Sequence, residues 1–174
     1  QRQMCIRDRI GAEAVARAPA DGMTLLFGTN STNAAANALF RRVPFDMERD
    51  FAPISMLASV PLLVAVPEAS PHRTLNDLLA AARARPEAVT YASTSASQRV
   101  ASEMLASMAG VRLLHVPYRA AGAAIQDLLA GRVDMFVADQ AVILPASQSG
   151  RARVLAVTTR SRSAQLPDVP TVAE

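Results

Sequence analysis

The sequence predicts an α/β fold built on a mainly parallel sheet, and three observations carry that expectation. From residue 86 onward, short β-rich runs alternate with Ala/Leu-rich runs: "VTYAS" (89–93), "VRLLHV" (111–116), "VDMFVA" (133–138) and "RVLAVTT" (153–159). Gly110, Gly131 and Gly150 each stand just before the next β-rich run, where a left-handed residue ends a helix. The intervening runs have helical spacing, with Met104, Leu105 and Met108 in one and Ile125, Leu128 and Leu129 in another. Strands alternating with helices of this length imply right-handed βαβ crossovers.

Taken in order, residues 1–9 ("QRQMCIRDR") share neither the composition nor the apolar periodicity of the rest of the chain, and are set aside as a non-native leader that includes Cys5. Residues 10–58 read as a helical end ("IGAEAVARA"), a turn signalled by Pro19 and Asp21-Gly22, and a strand ("MTLLFG", 23–28). A polar "TNSTN" then leads into "AAANALFRR". The apolar run "PLLVAVPEASP" (61–71) is closed by prolines and is a connection crossing from one lobe to another, with "RVLAVTT" as the return crossing. Between them, "TLNDLLAAARAR" places Thr74 as N-cap and Asp77 three residues on, near a capping box, with Leu75, Leu78 and Leu79 as the buried stripe and Pro86 as the stop.

Composition narrows the function. The chain has 174 residues, 51% hydrophobic and 19% charged, which is ordinary for an ordered globular protein. Its net charge is +3, every one of its 18 basic residues is Arg, and 15 acids are interleaved with them. With aromatics at 4%, neither a phosphate-tracking stripe nor a stacking platform is present, so nucleic acid is not an expected partner. A single cysteine rules out an intramolecular disulfide and a Cys-based metal site, and the two histidines lack metal spacing, so neither metal nor cofactor is expected. No apolar run reaches the roughly 18 residues of a spanning helix, and no signal peptide is visible at the start.

In open parallel sheets ligands sit outside the carboxyl ends of the strands. Those ends carry Ser93, Thr94, Ser95 and Ser97; Pro117, Tyr118 and Arg119; Asp139 and Gln140; and Thr158 and Thr159. In the first region the equivalent end carries Thr29, Asn30, Ser31, Thr32 and Asn33. Hydroxyls, backbone N–H groups and a positive helix end pointing into one space suit a carboxylate, although Ser and Thr also serve simply as helix caps. Asp139 either contacts a ligand or caps the helix starting near Gln140. Tyr118 either walls the site or packs against the next helix.

Catalytic readings fare less well. The chain holds no Gly-x-Ser-x-Gly elbow, His115 reads as a packed, hydrogen-bonded core histidine, and His72 as a solvated loop residue. Glu103, Asp127 and Asp134 read as surface charge. No catalytic residue is assigned.

Together "PADGMTLLFGTNST", "PFDMERDFAPIS", "VPLLVAVP", "LLHVPYRAAGAAIQDLLAGRVDMFVAD" and "RARVLAVTTRSRSAQLPDVPTVAE" resemble the substrate receptors of tripartite tricarboxylate transporters, the Bug family. The resemblance runs from about Gly11 to Glu174. It implies a non-enzymatic periplasmic receptor of two-lobed, type II periplasmic-binding-protein-like architecture, which closes on a small organic carboxylate and presents it to membrane transporter subunits. It further implies a fragment: residues 10–66 a partial first lobe, 67–152 a nearly complete second lobe, 153–174 the return strand and the start of the remaining first lobe, with the signal peptide missing. By position, Thr29, Ser31, Thr32 and Asn33 match the first lobe's ligand-side loop, Tyr91 to Ser97 a second-lobe loop, and Asp139 and Gln140 a strand-end pair facing the ligand. Two departures stand out. Ser95-Ala96-Ser97 replaces a frequent Gly-x-Gly, and Ala36-Asn37 replaces a frequent Asn-Pro. Two alternatives are a regulator's effector domain, which would call for a helix-turn-helix that is not seen, and an α/β hydrolase, which requires a nucleophile and base in contact.

Overall fold

The structure, a computed structural model, describes residues 10–34 and 42–174. The leader 1–9, most of "AAANALFRR" and the Ala36-Asn37 departure lie outside the described residues. Two compact units emerge: residues up to Ala58 with Ser95–Ser97, and Ser59–Thr94 with Gln98–Glu174.

The larger unit is a three-layer sandwich. Its strands are β1 (Leu62–Pro67), β2 (Thr90–Ser93), β3 (Leu114–Pro117), β4 (Met135–Asp139) and β5 (Ala152–Val157), in spatial order β3-β2-β4-β1-β5. β2 pairs in parallel with β3 and β4, whereas β1 is antiparallel to both β4 and β5. The expected mainly parallel sheet is therefore mixed. The βαβ repeat does produce parallel neighbours, but the "PLLVAVP" run, read as a crossing connection, inserts between β4 and β5 with reversed direction. Both of its faces are buried, which is why the run is continuously apolar rather than alternating.

Alternate residues of β1 divide between two cores. Val64 and Val66 join Tyr91, Met135 and Val137 beneath Leu78 and Leu105, while Leu63 and Ala65 join Phe136 and Ala138 beneath Leu128 and Ile143. The helices Leu75–Ala84 and Ala96–Ala109 thus cover one face, and Ala121–Leu129 and Gln140–Gln148 the other.

Local signals hold where they concern chain ends. Thr74 accepts from the Asp77 N–H at 3.1 Å, and the Asp77 carboxylate accepts from the Thr74 N–H at 2.8 Å, a complete capping box. Gly110, Gly131 and Gly150 have φ of 64°, 69° and 68°, the left-handed conformation that a side chain would strain. The amphipathic reading of "ASEMLASMAG" needs correction. Leu105 is buried but Met104 and Met108 are 57% and 81% exposed, and the inward face is completed by Gln98, Ser102 and Ala106. Leu105 and Ala106 are the residues of this helix that join Tyr91 in the core.

In the smaller unit, residues 10–16 are helical and Gly22 turns the chain with φ 79°. The Met23 N–H donates to the Asp21 carboxylate at 2.9 Å, fixing that turn. The expected strand over 23–28 is not formed: no described strand pairs with it, and Met23, Leu25 and Phe27 are largely exposed. β-propensity expresses itself only against a neighbour. Asn30–Asn33 forms a single helical turn, and Phe45 packs edge-on against Phe51 with ring centroids 5.8 Å apart.

Candidate functional site

Because β2, β3, β4 and β5 point the same way, their carboxyl ends share one edge of the sheet. Ser93, Pro117, Asp139 and Val157 end these strands. The helices Ala96–Ala109, Ala121–Leu129 and Gln140–Gln148 begin just beyond the first three, so their N-terminal N–H groups and positive ends gather at that edge. The start of β1 lies there too, with Leu62 opposite Asp139. Thr158 closes the edge: its N–H donates to the Leu62 carbonyl at 3.0 Å, and its hydroxyl accepts from the Leu62 N–H at 3.1 Å.

Ser93 is fully buried and its Oγ lies 2.7 Å from His115 Nε2. The imidazole stacks on Tyr91 at 5.0 Å between centroids, and the Tyr91 hydroxyl donates to Glu103 at 2.5 Å. Burial lowers the His115 pKa below its ordinary 6.5, assisted by the Arg99 charge and opposed by Glu103. Burial, then the Glu103 hydrogen bond, pushes the Tyr91 phenol upward. A serine and a histidine are thus in contact, as a hydrolase needs. Yet Ser93 has no exposed surface from which to attack a substrate. The pair satisfies a buried hydroxyl and a half-buried imidazole, in keeping with a packed, hydrogen-bonded histidine.

Of the acids read as surface charge, Asp134 is half-buried and structural instead, whereas Glu103 is exposed as expected while also anchoring a phenol. Asp134 accepts from both the Thr90 N–H (2.8 Å) and its hydroxyl (2.7 Å), pinning the start of β2. Glu103 anchors the Tyr91 hydroxyl.

Thr94 is nearly buried, and both its N–H (2.8 Å) and its hydroxyl (2.9 Å) donate to Gln98 Oε1. Gln98, 2% exposed, in turn donates through Nε2 to Asp139 Oδ2 at 3.4 Å. The half-buried Asp139 side chain makes no capping hydrogen bond to the helix after it, although that helix does begin at Gln140. Gln98 did not feature among the expected site residues. Its signal in the sequence is the Ser95-x-x-Gln98 spacing, the written form of a capping box.

Tyr118 turns to the next helix, where its hydroxyl donates to Asp127 at 2.8 Å. Burial, with help from Asp127, pushes this phenol up to about 12, while Arg132 and Tyr118 hold the Asp127 carboxyl below its usual range. Gln140 hydrogen-bonds Gln165. In the smaller unit, Thr29 precedes the Asn30–Asn33 turn that carries Ser31, Thr32 and Asn33, and its carbonyl accepts from the Asn33 N–H at 2.8 Å. Ser31 Oγ and Ser97 Oγ, grouped in that same unit, are 2.8 Å apart. Among the described residues no cluster of His, Cys, Asp or Glu is placed to hold a metal ion, and no helix is long and apolar enough to cross a membrane.

A sandwiched α/β sheet with hydroxyl, amide and carboxylate groups gathered at its strand ends is an architecture for holding a small ligand. The model of the tripartite tricarboxylate transporter family receptor matches residues 6–174, and the chain belongs to that family. It is 43% identical over 168 residues to the UPF0065 protein in the tcbD-tcbE intergenic region of Pseudomonas sp. (strain P51), covering 95% of this chain and 49% of that one. It is 32% identical to protein BugT of Bordetella pertussis, covering 95% and 52%. Among solved structures, R. palustris Rpa4515 with adipate superimposes with a TM-score of 0.84 at 33% identity, covering 95% of this chain and 56% of that one. MatC from Rhodopseudomonas palustris with bound malate gives 0.80 at 26%, covering 95% and 57%. The chain spans about half the length of the curated relatives it matches.

Proposed function

We propose that the complete protein is an extracytoplasmic solute receptor that captures a small organic carboxylate between two lobes and delivers it to the membrane subunits of a tripartite tricarboxylate-type transporter. Family membership carries this reading, supported by relatives solved with adipate and with malate. The residues at the shared sheet edge suit the task. Ser95, Ser97, Asp139 and Gln140 lie just beyond strand ends and at helix starts, while Ser93, Thr94 and Tyr118 shape that edge through their bonds to His115, Gln98 and Asp127. Thr29, Ser31, Thr32 and Asn33 are the residues expected of the first lobe. Helix N-termini there favour an anionic head group by roughly 0.3–1 kcal/mol each when exposed.

Binding requires no turnover. The lobes close by a hinge rotation absorbed where the chain enters β1 at Leu62 and leaves β5 at Thr158, residues hydrogen-bonded to each other. A thermal-shift screen of the complete protein against dicarboxylates, tricarboxylates, aromatic carboxylates and acidic amino acids tests the proposal. A saturable rise in Tm with one class is expected. A flat response from folded protein across all classes would remove it.

A further inference from the structure

The Thr94–Gln98–Asp139 chain has a fixed donor–acceptor sense, and that sense constrains the ligand. A backbone N–H can only donate, so the side-chain atom of Gln98 facing the Thr94 N–H at 2.8 Å must be its carbonyl oxygen. The Gln98 amide is therefore held against flipping, and its NH2 group faces Asp139. The Thr94 hydroxyl spends its one proton on the same Oε1. Thr94 thus has no proton left, from backbone or hydroxyl, to offer a ligand carboxylate. Asp139, held by a neutral amide at 3.4 Å, brings a carboxylate that only accepts while ionised.

Resting on the receptor reading above, we propose that this corner of the sheet edge reads a hydrogen-bond donor on the ligand, a hydroxyl or ammonium group beside its carboxylate, with Asp139 as the contacting acceptor and Gln98 and Thr94 as positioning residues. A ligand carboxylate placed against Asp139 would meet like charge, whereas an ammonium or hydroxyl group would donate to it. The ligand's own carboxylate is left to the helix N-termini. The substrate class is accordingly hydroxy- or amino-substituted carboxylates, in preference to unsubstituted dicarboxylates.

Calorimetric titration of the complete protein with skeleton-matched series tests this: succinate, malate and aspartate for four carbons, adipate and 2-aminoadipate for six. On the skeleton that binds, the donor-bearing member is expected to be tighter by about tenfold or more. In Asp139→Asn that preference should collapse to within about threefold while the unsubstituted acid binds as well or better, a change in ratio that a merely structural role would not produce. Thr94→Val should narrow the same ratio in the same direction. Equal wild-type affinities across a series, with binding intact, would overturn this inference alone. No binding of any carboxylate by folded protein would overturn the receptor reading beneath it, and this inference with it. Because the wild-type series decides the matter unaided, misfolding of a variant leaves the test standing.

Discussion

The stretches "LLVAVP" (62–67) and "MTLLFG" (23–28) are both largely apolar runs of six residues, and they end in opposite states. The first is β1, hydrogen-bonded on both sides and buried on both faces. The second forms no strand, and Met23 and Phe27 are 84% and 76% exposed. What separates them is partnership. β1 meets β4 and β5, each delivered by a helix that returns the chain to the sheet, whereas in a chain spanning about half the length of its relatives no described strand reaches residues 23–28. A β-rich run specifies a strand only when the topology supplies an edge to pair with.

This contrast can be broken or sharpened by substitution. The largest effect is expected in the sheet. Phe136→Ala empties a fully buried position in β4 and should cost about 3–5 kcal/mol in chemical denaturation. Phe27→Ala, the same change on an exposed side chain, should stay within about 0.5 kcal/mol. Comparable losses at the two sites would show that residues 23–28 are packed after all.

Next comes Asp134→Ala, which strands the Thr90 N–H and hydroxyl at the start of β2 and should cost about 1–3 kcal/mol by the same measurement. Thr74→Ala removes one half of the capping box and should cost about 1 kcal/mol.

The smallest effect is a pH dependence. His115 has a folded pKa below its ordinary 6.5, so at acid pH the unfolded chain binds more protons than the native one. The stability this group contributes is complete above about pH 6.5 and is lost as pH falls below it toward the folded value. Tm measured through that window should fall more steeply for the wild type than for His115→Gln. Parallel curves would mean that His115 is no more buried than in the unfolded chain.

Much of this fold is legible in the sequence because chain-end signals are local. Thr74 with Asp77, and Gly110, Gly131 and Gly150, act through geometry that a few consecutive residues decide. The reversed direction of β1 is not local, and nothing in "PLLVAVP" states which strands will flank it. Its lack of alternation does state that both faces will be covered. The same division holds at the candidate site. Asp139, Thr94 and Ser93 are visible as polar residues ending apolar runs. Gln98 is hidden among helix polars, because its importance comes from facing Thr94 and Asp139 at once, a relation that exists only after β2 and β4 have paired.

We propose that the carboxyl edge of the sheet holds a small carboxylate, and amide NMR of the complete, isotopically labelled protein titrated with malate and then adipate tests it most directly. The expected result is saturable shift changes concentrated at Ser93–Ser97, Tyr118–Ala120 and Asp139–Gln140, with the opposite edge around Glu87, Gly131 and Gly150 unmoved. Saturable shifts confined to that opposite edge, or none at any concentration of either acid, would contradict it.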